Sequence, residues 1–248
     1  MIFSDPKTGE LLAQEIQAYV GAHARYPVID GIPSFVRKED IFGDNEKYQK
    51  FYDRVGKFTG SVFWFLCALF KWDTVSKRKD LLSDLFVKPG DLVLETSIGA
   101  GANIPALEKE AEYVGVDISM GMLKACQRYP LLKPYRLALA QANAEELPFK
   151  DNTFDVVFHF GGINFFNDPK RAIREMIRVA KPGAQIWIGD ETQKYVDAWY
   201  KKIPFVARYF QEAVVRIPEI PHGVENPRIF QKWDGEMYVM TFRKTSSR

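Results

Sequence analysis

Cysteine is almost missing from this chain: Cys67 and Cys126 are the only two, which excludes a disulfide framework and a four-cysteine zinc site. Both read as reduced core thiols, and no metal is expected. Histidine is scarce as well, with three residues. Neither sign of charge is in surplus, because 34 Lys and Arg stand against 32 Asp and Glu. The sequence therefore lacks the basic footprint that a phosphate backbone demands, and no nucleic-acid partner is expected. No apolar run reaches the roughly 18 to 20 residues that span a bilayer. The opening MIFSDPKTGE shows no basic region followed by an apolar one, so a cytoplasmic location is expected.

What is present is a chain of 248 residues, 46% of them hydrophobic, enough to bury one large core with a small appendage. The turn signals Pro6 to Gly9 and Pro27 to Pro33 flank a short alternating stretch, which predicts a small hairpin-like extension over residues 1–43. Residues 44–87 are Gly-poor with helical spacing, and Phe63, Leu66, Cys67 and Phe70 fall at i, i+3, i+4 and i+7. Trp64, Phe65 and Leu69 make the other faces apolar too, so this helix is either buried all round or a greasy wall for a ligand or a membrane. Lys71, Lys77, Arg78 and Lys79 beside it read as a solvated face, or as a basic flank for peripheral contact with an anionic membrane.

From Lys88 the pattern becomes strand, turn and helix in alternation. The run Leu92 to Leu94 predicts a strand, then a Gly-containing loop and a helical stretch through Glu110. YVGVD is the next strand, followed by a helix from Met120 to Arg128. FDVVFHF is a further buried strand. Asp168 and Pro169 begin a helix as N-cap and first helical residue, KPG closes it, and AQIWIGD is another strand. Near-continuous apolar strands separated by helices predict an α/β protein with a mostly parallel sheet covered on both faces. Residues 88–190 form this core. Residues 191–248, less regular and ending in a strand pair that includes EMYVMTF, are expected on the substrate side.

In a sheet of this kind ligands sit beyond the carboxyl ends of the strands. The loop after the opening strand reads VLETSIGAGAN. Gly99 and Gly101 permit a tight turn and a close approach of backbone to ligand, and the helix expected next offers free N–H groups to a carboxylate. A dinucleotide-binding loop would place a third glycine where Ile104 stands. Glu95 at the strand end would oppose a pyrophosphate and suits a cationic or zwitterionic ligand. Asp117, ending the second strand, is placed to accept hydrogen bonds from both hydroxyls of a ribose.

These residues resemble the class I S-adenosylmethionine (SAM)-dependent methyltransferases, most nearly the group related to ubiquinone and menaquinone biosynthesis. The resemblance covers residues 88–190 through KPGDLVLETSIGAGAN, GVDISMGMLKAC, ANAEELPFKDNTFDVVF and DPKRAIREMIRVAKPGAQIWI. It implies a Rossmann-like seven-stranded sheet with SAM held by Glu95, Ser97, Gly99, Gly101 and Asn103 of the glycine motif. Asp117, Ile118 and Met122 would flank the ribose and adenine, with Asn143, Ala144 and Glu145 at the adenine edge and Phe160 and Gly161 beyond the fourth strand. Ser97 replaces the motif's first glycine, and Asn143 stands where the family has an acid. KYQKFYDRVGKF resembles the element preceding the domain in these relatives, so Tyr52 would close over the cofactor. DPKTGELL and RYPVIDGIPSFV resemble a zinc-ribbon-like extension without its cysteines, Asp5 and Thr8 standing at the first pair.

The resemblance implies methyl transfer by in-line displacement to a small, apolar acceptor. Positioning supplies much of such a rate, and a general base is needed only where the nucleophile carries a proton. His159 and Asn164, flanking HFGGIN, are the candidates on the substrate side, although a strand-end histidine also serves as a hydrogen-bonded structural residue. A nicotinamide-dependent oxidoreductase and a non-catalytic SAM-binding or partner-binding protein are the alternatives.

Overall fold

The structure, a computed structural model, describes residues 3–58, 74–202, 204–211 and 214–246; the aromatic run Phe63 to Phe70 lies outside them. Among the described residues no helix is long and apolar enough to cross a membrane. Seven strands make the main sheet: β5 (Leu92–Thr96), β6 (Glu112–Asp117), β7 (Arg136–Gln141), β8 (Phe154–Phe160), β9 (Ala180–Glu191), β10 (Val224–Lys232) and β11 (Met237–Lys244). Their order is β10-β11-β9-β8-β5-β6-β7. β5 pairs parallel with both β6 and β8, so chain order reverses at β5 and opens a crevice beyond its carboxyl end. β11 runs antiparallel between β9 and β10.

Successive residues of a strand face opposite sides of the sheet, and the core divides accordingly. Leu94, Val157, Ile186 and Ile188 point to one side, Val93, Val156, Phe158 and Trp187 to the other. The first side is covered by helix α4 (Pro169–Val179), through Ile173 and Met176, and by aromatic residues of the N-terminal region. The second is covered by Leu81 of α2 (Thr74–Leu81) and by Leu123 and Cys126 of α3 (Met120–Gln127). Asp168 caps α4 by accepting from the Arg171 amide at 2.9 Å, with Pro169 at the first helical position, as its sequence predicts.

Three local expectations are corrected. The loop after β5 is followed by a single 3-10 turn, Ile104–Ala106, and not by a helix to Glu110. Pro105 starts that turn, and the backbone is extended again by Leu107, so no helix N-terminus faces the loop. The KPG segment belongs to β9, where a register shift against β8 accommodates Gly183 at φ +76°. RLALAQ forms the edge strand β7, which the hydrophobic pattern did not mark.

The N-terminal region is a four-stranded antiparallel meander of β1 (Ala13–Gln14), β2 (Ala18–Val20), β3 (Arg25–Ile29) and β4 (Ile32–Pro33). Pro27 and Pro33 lie within its strands. The tight turn is Asp30-Gly31, both at positive φ, the geometry that suits a two-residue hairpin. Phe3, Tyr19, Tyr26 and Phe35 pack into the same core as the main sheet. Beyond β4 the Phe35 amide bonds to the Gln141 carbonyl at 2.8 Å, docking the meander on the end of β7.

Where the resemblance places the first metal-binding knuckle, Asp5 does the holding. One carboxylate oxygen accepts from the amides of Lys7 and Thr8 at 2.8 and 2.9 Å, and the other from the Tyr26 hydroxyl at 3.0 Å. Burial opposes the charge, but the Thr8 and Lys7 amides outweigh it and hold the carboxyl below its ordinary value. Asp5→Ala orphans these buried donors and is expected to cost about 1–3 kcal/mol in urea unfolding at pH 6. A folded-state pKa lying below the unfolded one gives stability that is full above roughly 3.9 and lost as pH falls through the folded value. The gap between variant and wild type therefore narrows below that pH.

Candidate functional site

β5 carries a buried acid one residue before its end, Glu95, and β6 ends in another, Asp117. Asp117 is fixed by the two loops it joins: its carboxylate accepts from the Gly99 amide and the Ser119 amide, each at 2.8 Å. Burial raises it to about 6, with the Ser119 and Gly99 amides pulling the other way. Glu95, fully buried, accepts from the Asn103 amide nitrogen at 2.6 Å through one oxygen, while Oε2 has no hydrogen-bond partner. Burial pushes it to about 8, against the pull of that hydrogen bond and of the Arg78 charge. Between them the chain turns through Ser97 and Gly99, at φ +59° and +56°. Ser97 thus holds the left-handed conformation of the glycine it replaces, at a cost of roughly 1–2 kcal/mol.

Above this floor lies a cavity of about 310 Å³. Ser97, Gly99, Asn103, Asp117, Ile118 and Met122 line one half, and Phe160 and Gly161 lead from β8 into the other. Its roof includes Asn45, Tyr48 and Tyr52 from α1 (Gly43–Phe58). Burial lifts the Tyr52 hydroxyl far above its ordinary range, ahead of the charge of Glu191, so it stays protonated. α1 crosses α3 at glycines: a Cβ on Gly56 would stand 2.4 Å from the Gly121 carbonyl carbon. Across that crossing, Asp53 accepts from the Ser119 hydroxyl at 2.6 Å and the Gly121 amide at 2.9 Å.

Nine of the residues singled out in the sequence are thereby brought together: Tyr52, Ser97, Gly99, Asn103, Asp117, Ile118, Met122, Phe160 and Gly161. Seven are not on the cavity wall. Glu95 lies beneath it, behind Asn103. At Gly101, a Cβ would meet Leu132 and Cys126 in the core. Asn143 turns its carbonyl oxygen to the Glu145 amide, 3.0 Å away. Ala144 is buried. Glu145 accepts from the Asn45 side chain at 2.9 Å and the Asp168 amide at 3.2 Å, so it holds Asn45, which does line the cavity.

The two substrate-side candidates are likewise displaced. His159 is fully buried, with Nδ1 3.1 Å from the Thr96 hydroxyl and its ring edge against Phe166. Burial lowers it to about 4, which leaves it neutral at physiological pH and closed off from a substrate. Asn164 spends its donor on Asp190 at 3.2 Å and its acceptor on the Arg216 amide at 2.9 Å.

In their place the structure supplies residues that the sequence reading passed over. Arg78, assigned there to a solvated face, lines the cavity; its guanidinium lies over the Phe160 ring and Nη1 is buried without a hydrogen-bond partner. Glu191 and Tyr200 line the end beyond Gly161, with the Tyr200 hydroxyl donating to Glu191 at 2.8 Å. Glu191 could have been found by the signal that found Glu95 and Asp117, an acid at the carboxyl end of a parallel strand.

The geometry can be set beside known proteins. The family described as Methyltransferase domain matches residues 94–188. A demethylmenaquinone methyltransferase of Lactiplantibacillus plantarum is 35% identical over 147 residues, 54% of this chain and 62% of that protein. One from Lysinibacillus sphaericus is 31% identical over 137 residues, 53% of this chain and 58% of that protein. These two alignments span less than two thirds of the relatives' own lengths. A third, from Listeria welshimeri, is 32% identical over 178 residues, covering 70% of this chain and 71% of that protein. Among solved structures, SAM-dependent methyltransferases of Thermotoga maritima and Aquifex aeolicus superpose with TM-scores of 0.54 and 0.53, at 19% and 18% identity. Each covers 78% of this chain and 98% of the other. The [4+2]-cyclase SpnF shares the fold equally well, with a TM-score of 0.54 at 16% identity over 79% of this chain and 97% of its own. From the extent of the Listeria match, with the family match across the strands that build the cavity floor, the chain belongs to the class I SAM-dependent methyltransferases of the menaquinone and ubiquinone type.

Proposed function

We propose that the chain transfers a methyl group from SAM to an apolar acceptor of the demethylmenaquinol class, a hydroxylated aromatic ring with an apolar chain. The observation that carries this reading is the pairing, in one cavity and the floor beneath it, of a ribose-type acceptor with orphaned polar groups of both signs. Asp117 has both oxygens anchored by backbone amides and still faces the cavity. The buried atoms without partners around it are Arg78 Nη1, Glu95 Oε2 and Asn103 Oδ1. A guanidinium with a free donor fits a carboxylate, and free carboxylate and amide oxygens fit an ammonium, so the set matches the zwitterionic tail of methionine. The same buried acids disfavour the pyrophosphate of a nicotinamide dinucleotide. No helix follows the glycine loop to receive one.

When bound, SAM supplies a methyl group already activated on a sulfonium. The protein's share is positioning. Asp117, Ile118 and Met122 would hold the nucleoside half. Arg78 and Asn103 would hold the amino-acid half, and Tyr52 would close over both. The acceptor is then left the end formed by Gly161, Gly162, Phe165, Glu191 and Tyr200. An aromatic and apolar wall there suits a ring, and the Lactiplantibacillus and Listeria relatives name the chemical class.

A first test measures SAM binding by calorimetry. Asp117→Asn removes the charge that strengthens the ribose hydrogen bonds and is expected to weaken binding by about 1.5–3 kcal/mol, roughly 10- to 150-fold. Because the ligand favours the ionised carboxyl, wild-type affinity falls as pH drops through about 6. Unchanged affinity in the variant refutes the placement. Transfer of labelled methyl from SAM to a short-chain demethylmenaquinol tests the acceptor, and no transfer by a SAM-binding wild type removes that class.

A second test follows a proton. With its pKa near 8 beneath the cavity floor, Glu95 carries a proton at pH 7, and an incoming cation favours its release. SAM binding at pH 7 should therefore expel protons, read as a dependence of the binding heat on buffer ionisation enthalpy. Release vanishes above pH 9 and in Glu95→Gln; its persistence in that variant rules out Glu95 as the source.

A further inference from the structure

We infer that Glu191 is the general base of the reaction, the side chain that takes the acceptor's hydroxyl proton as the carbon nucleophile forms. The assignment rests on the acceptor reading given above. Three observations place it. Glu191 ends β9 on the cavity wall, and the position a Cβ would take at Gly161 is 3.8 Å from its carboxylate. β9 lies on the side of β5 away from β6, so Glu191 stands at the other end of the cavity from the proposed nucleoside half. One oxygen is oriented by the Tyr200 hydroxyl at 2.8 Å. Behind it, fully buried, sits Asp190, anchored by the Gly162 amide at 2.8 Å and by Asn164 at 3.2 Å.

The neighbouring acid explains why a carboxylate can work there. Asp190 is held well above its ordinary range, by burial first and then by the hydrogen bond and charge of Glu191. Two adjacent carboxyls, one buried and one half-buried, share one negative charge more readily than they carry two. Asp190 is the member held toward its protonated form, and Glu191 is the member that reaches the cavity. His159 does not compete, being hidden and neutral.

Glu191 accepts the hydroxyl proton ortho to the reacting ring carbon, and the released electron pair shifts into the ring. A carbon–carbon bond forms to the methyl while the sulfur–methyl bond breaks, its pair remaining on sulfur. The ring C–H proton is then lost to water and the oxygen regains its proton from Glu191. One proton is released per methyl transferred.

The test is the pH dependence of kcat at saturating SAM, with a short-chain demethylmenaquinol as acceptor. The groups facing Glu191 are Asp190 beside it, Arg78 from α2, Tyr52 from α1, His159 from β8, Tyr238 from β11, and Tyr195 and Tyr200 from the segment after β9. The four tyrosines are all raised, chiefly by burial, and His159 lies near 4. An acid limb that persists at saturating SAM and is lost with the Glu191 carboxylate therefore belongs to the Asp190–Glu191 pair. Glu191→Gln is expected to lower kcat about 10²- to 10⁴-fold and to abolish the limb. S-adenosylhomocysteine affinity should stay within about threefold of wild type. Glu191→Asp, keeping the carboxylate one methylene back, should recover part of the rate together with the limb.

A kcat near wild type in Glu191→Gln, or a lower kcat with the limb intact, overturns the assignment. If Glu191→Gln loses the cofactor, Glu191→Asp decides alone: an unaltered limb supports the base, and a flat profile refutes it. A wild type that binds SAM and methylates no quinol refutes the acceptor reading, and this assignment falls with it; an active wild type matched by Glu191→Gln refutes the assignment alone.

Discussion

Three parallel strands end under one cavity, and each carries acid at its end or one residue before it: Glu95 on β5, Asp117 on β6, and Asp190 with Glu191 on β9. Gathering carboxylates away from water is the constraint around which the rest of the molecule is arranged, since each ionised group costs several kcal/mol unless partnered. The partners differ, and so do the consequences. Asp117 receives two backbone amides, which need no proton and do not move, and it rises only to about 6. Glu95 receives one side-chain amide and the field of Arg78, and it rises to about 8. Asp190 lies buried beside another acid and is held toward its protonated form. The gradient sets under the cavity an acid anchored by backbone, a buried acid held toward its neutral form, and a pair in which Asp190 is held well above its ordinary range beside Glu191.

Such a floor works only if its loops are held, and the outer layers serve that end. α1 reaches across α3 because Gly56 and Gly121 let the two backbones touch, and Asp53 then ties down the turn that leaves Asp117. The Ile118 carbonyl in this turn accepts from Gln49 at 2.9 Å and from Gln141 at 3.0 Å. Gln141 is in turn bound by the Ser34 hydroxyl at 2.6 Å. The meander at the N-terminus is therefore linked to the cavity through three residues, Ser34, Gln141 and Ile118, and covers the end of an edge strand whose exposed groups would otherwise invite pairing. Its own fold relies on Asp5 and Tyr26, which take over by hydrogen bonding the task of a crosslinked knuckle.

Much of this was legible from the residues. The strands β5, β6, β8 and β9 announce themselves as apolar runs, and the acids at the ends of the first two fall where a ligand-binding sheet needs them. The expectations for the His159 and Asn143 side chains fared differently from the glycine loop for a physical reason. A loop position is read from backbone demands, and Ser97 and Gly99 at positive φ meet them. A side chain's use depends on its neighbours. His159 sits at the correct end of the correct strand, yet the pleat turns it inward against Thr96 and Phe166. Asn143 likewise satisfies itself within its own turn. Arg78 was concealed by its company, three lysines in an apparent solvated face, and only the packing of α2 over Phe160 brings it inside. β7 was missed because an edge strand whose first four residues alternate between exposed and half-buried lacks the continuous apolar run of its neighbours.

The fold by itself does not choose the chemistry, as a cyclase on the same sheet makes plain. What narrows the choice is the division of labour between the two halves of the cavity. The half built from β5 and β6 is fixed by backbone: amides on Asp117, left-handed turns at Ser97 and Gly99, a glycine crossing under α1. It can recognise a constant ligand. The half beyond Gly161 is built from side chains of separate segments, with Phe165 after β8, Glu191 on β9 and Tyr200 in the segment leading to α6 (Pro204–Phe210). Tyr200 packs against Phe210 of that helix, with ring centroids 4.8 Å apart, and Phe210 against Phe165 at 4.9 Å. A change in any one of these rings reshapes the acceptor end without disturbing a single amide on Asp117. The invariant chemistry is thus carried by backbone and the selectable part by packing, which is why the cofactor can be read from a glycine loop and two acids while the acceptor must be read from the assembled aromatic wall.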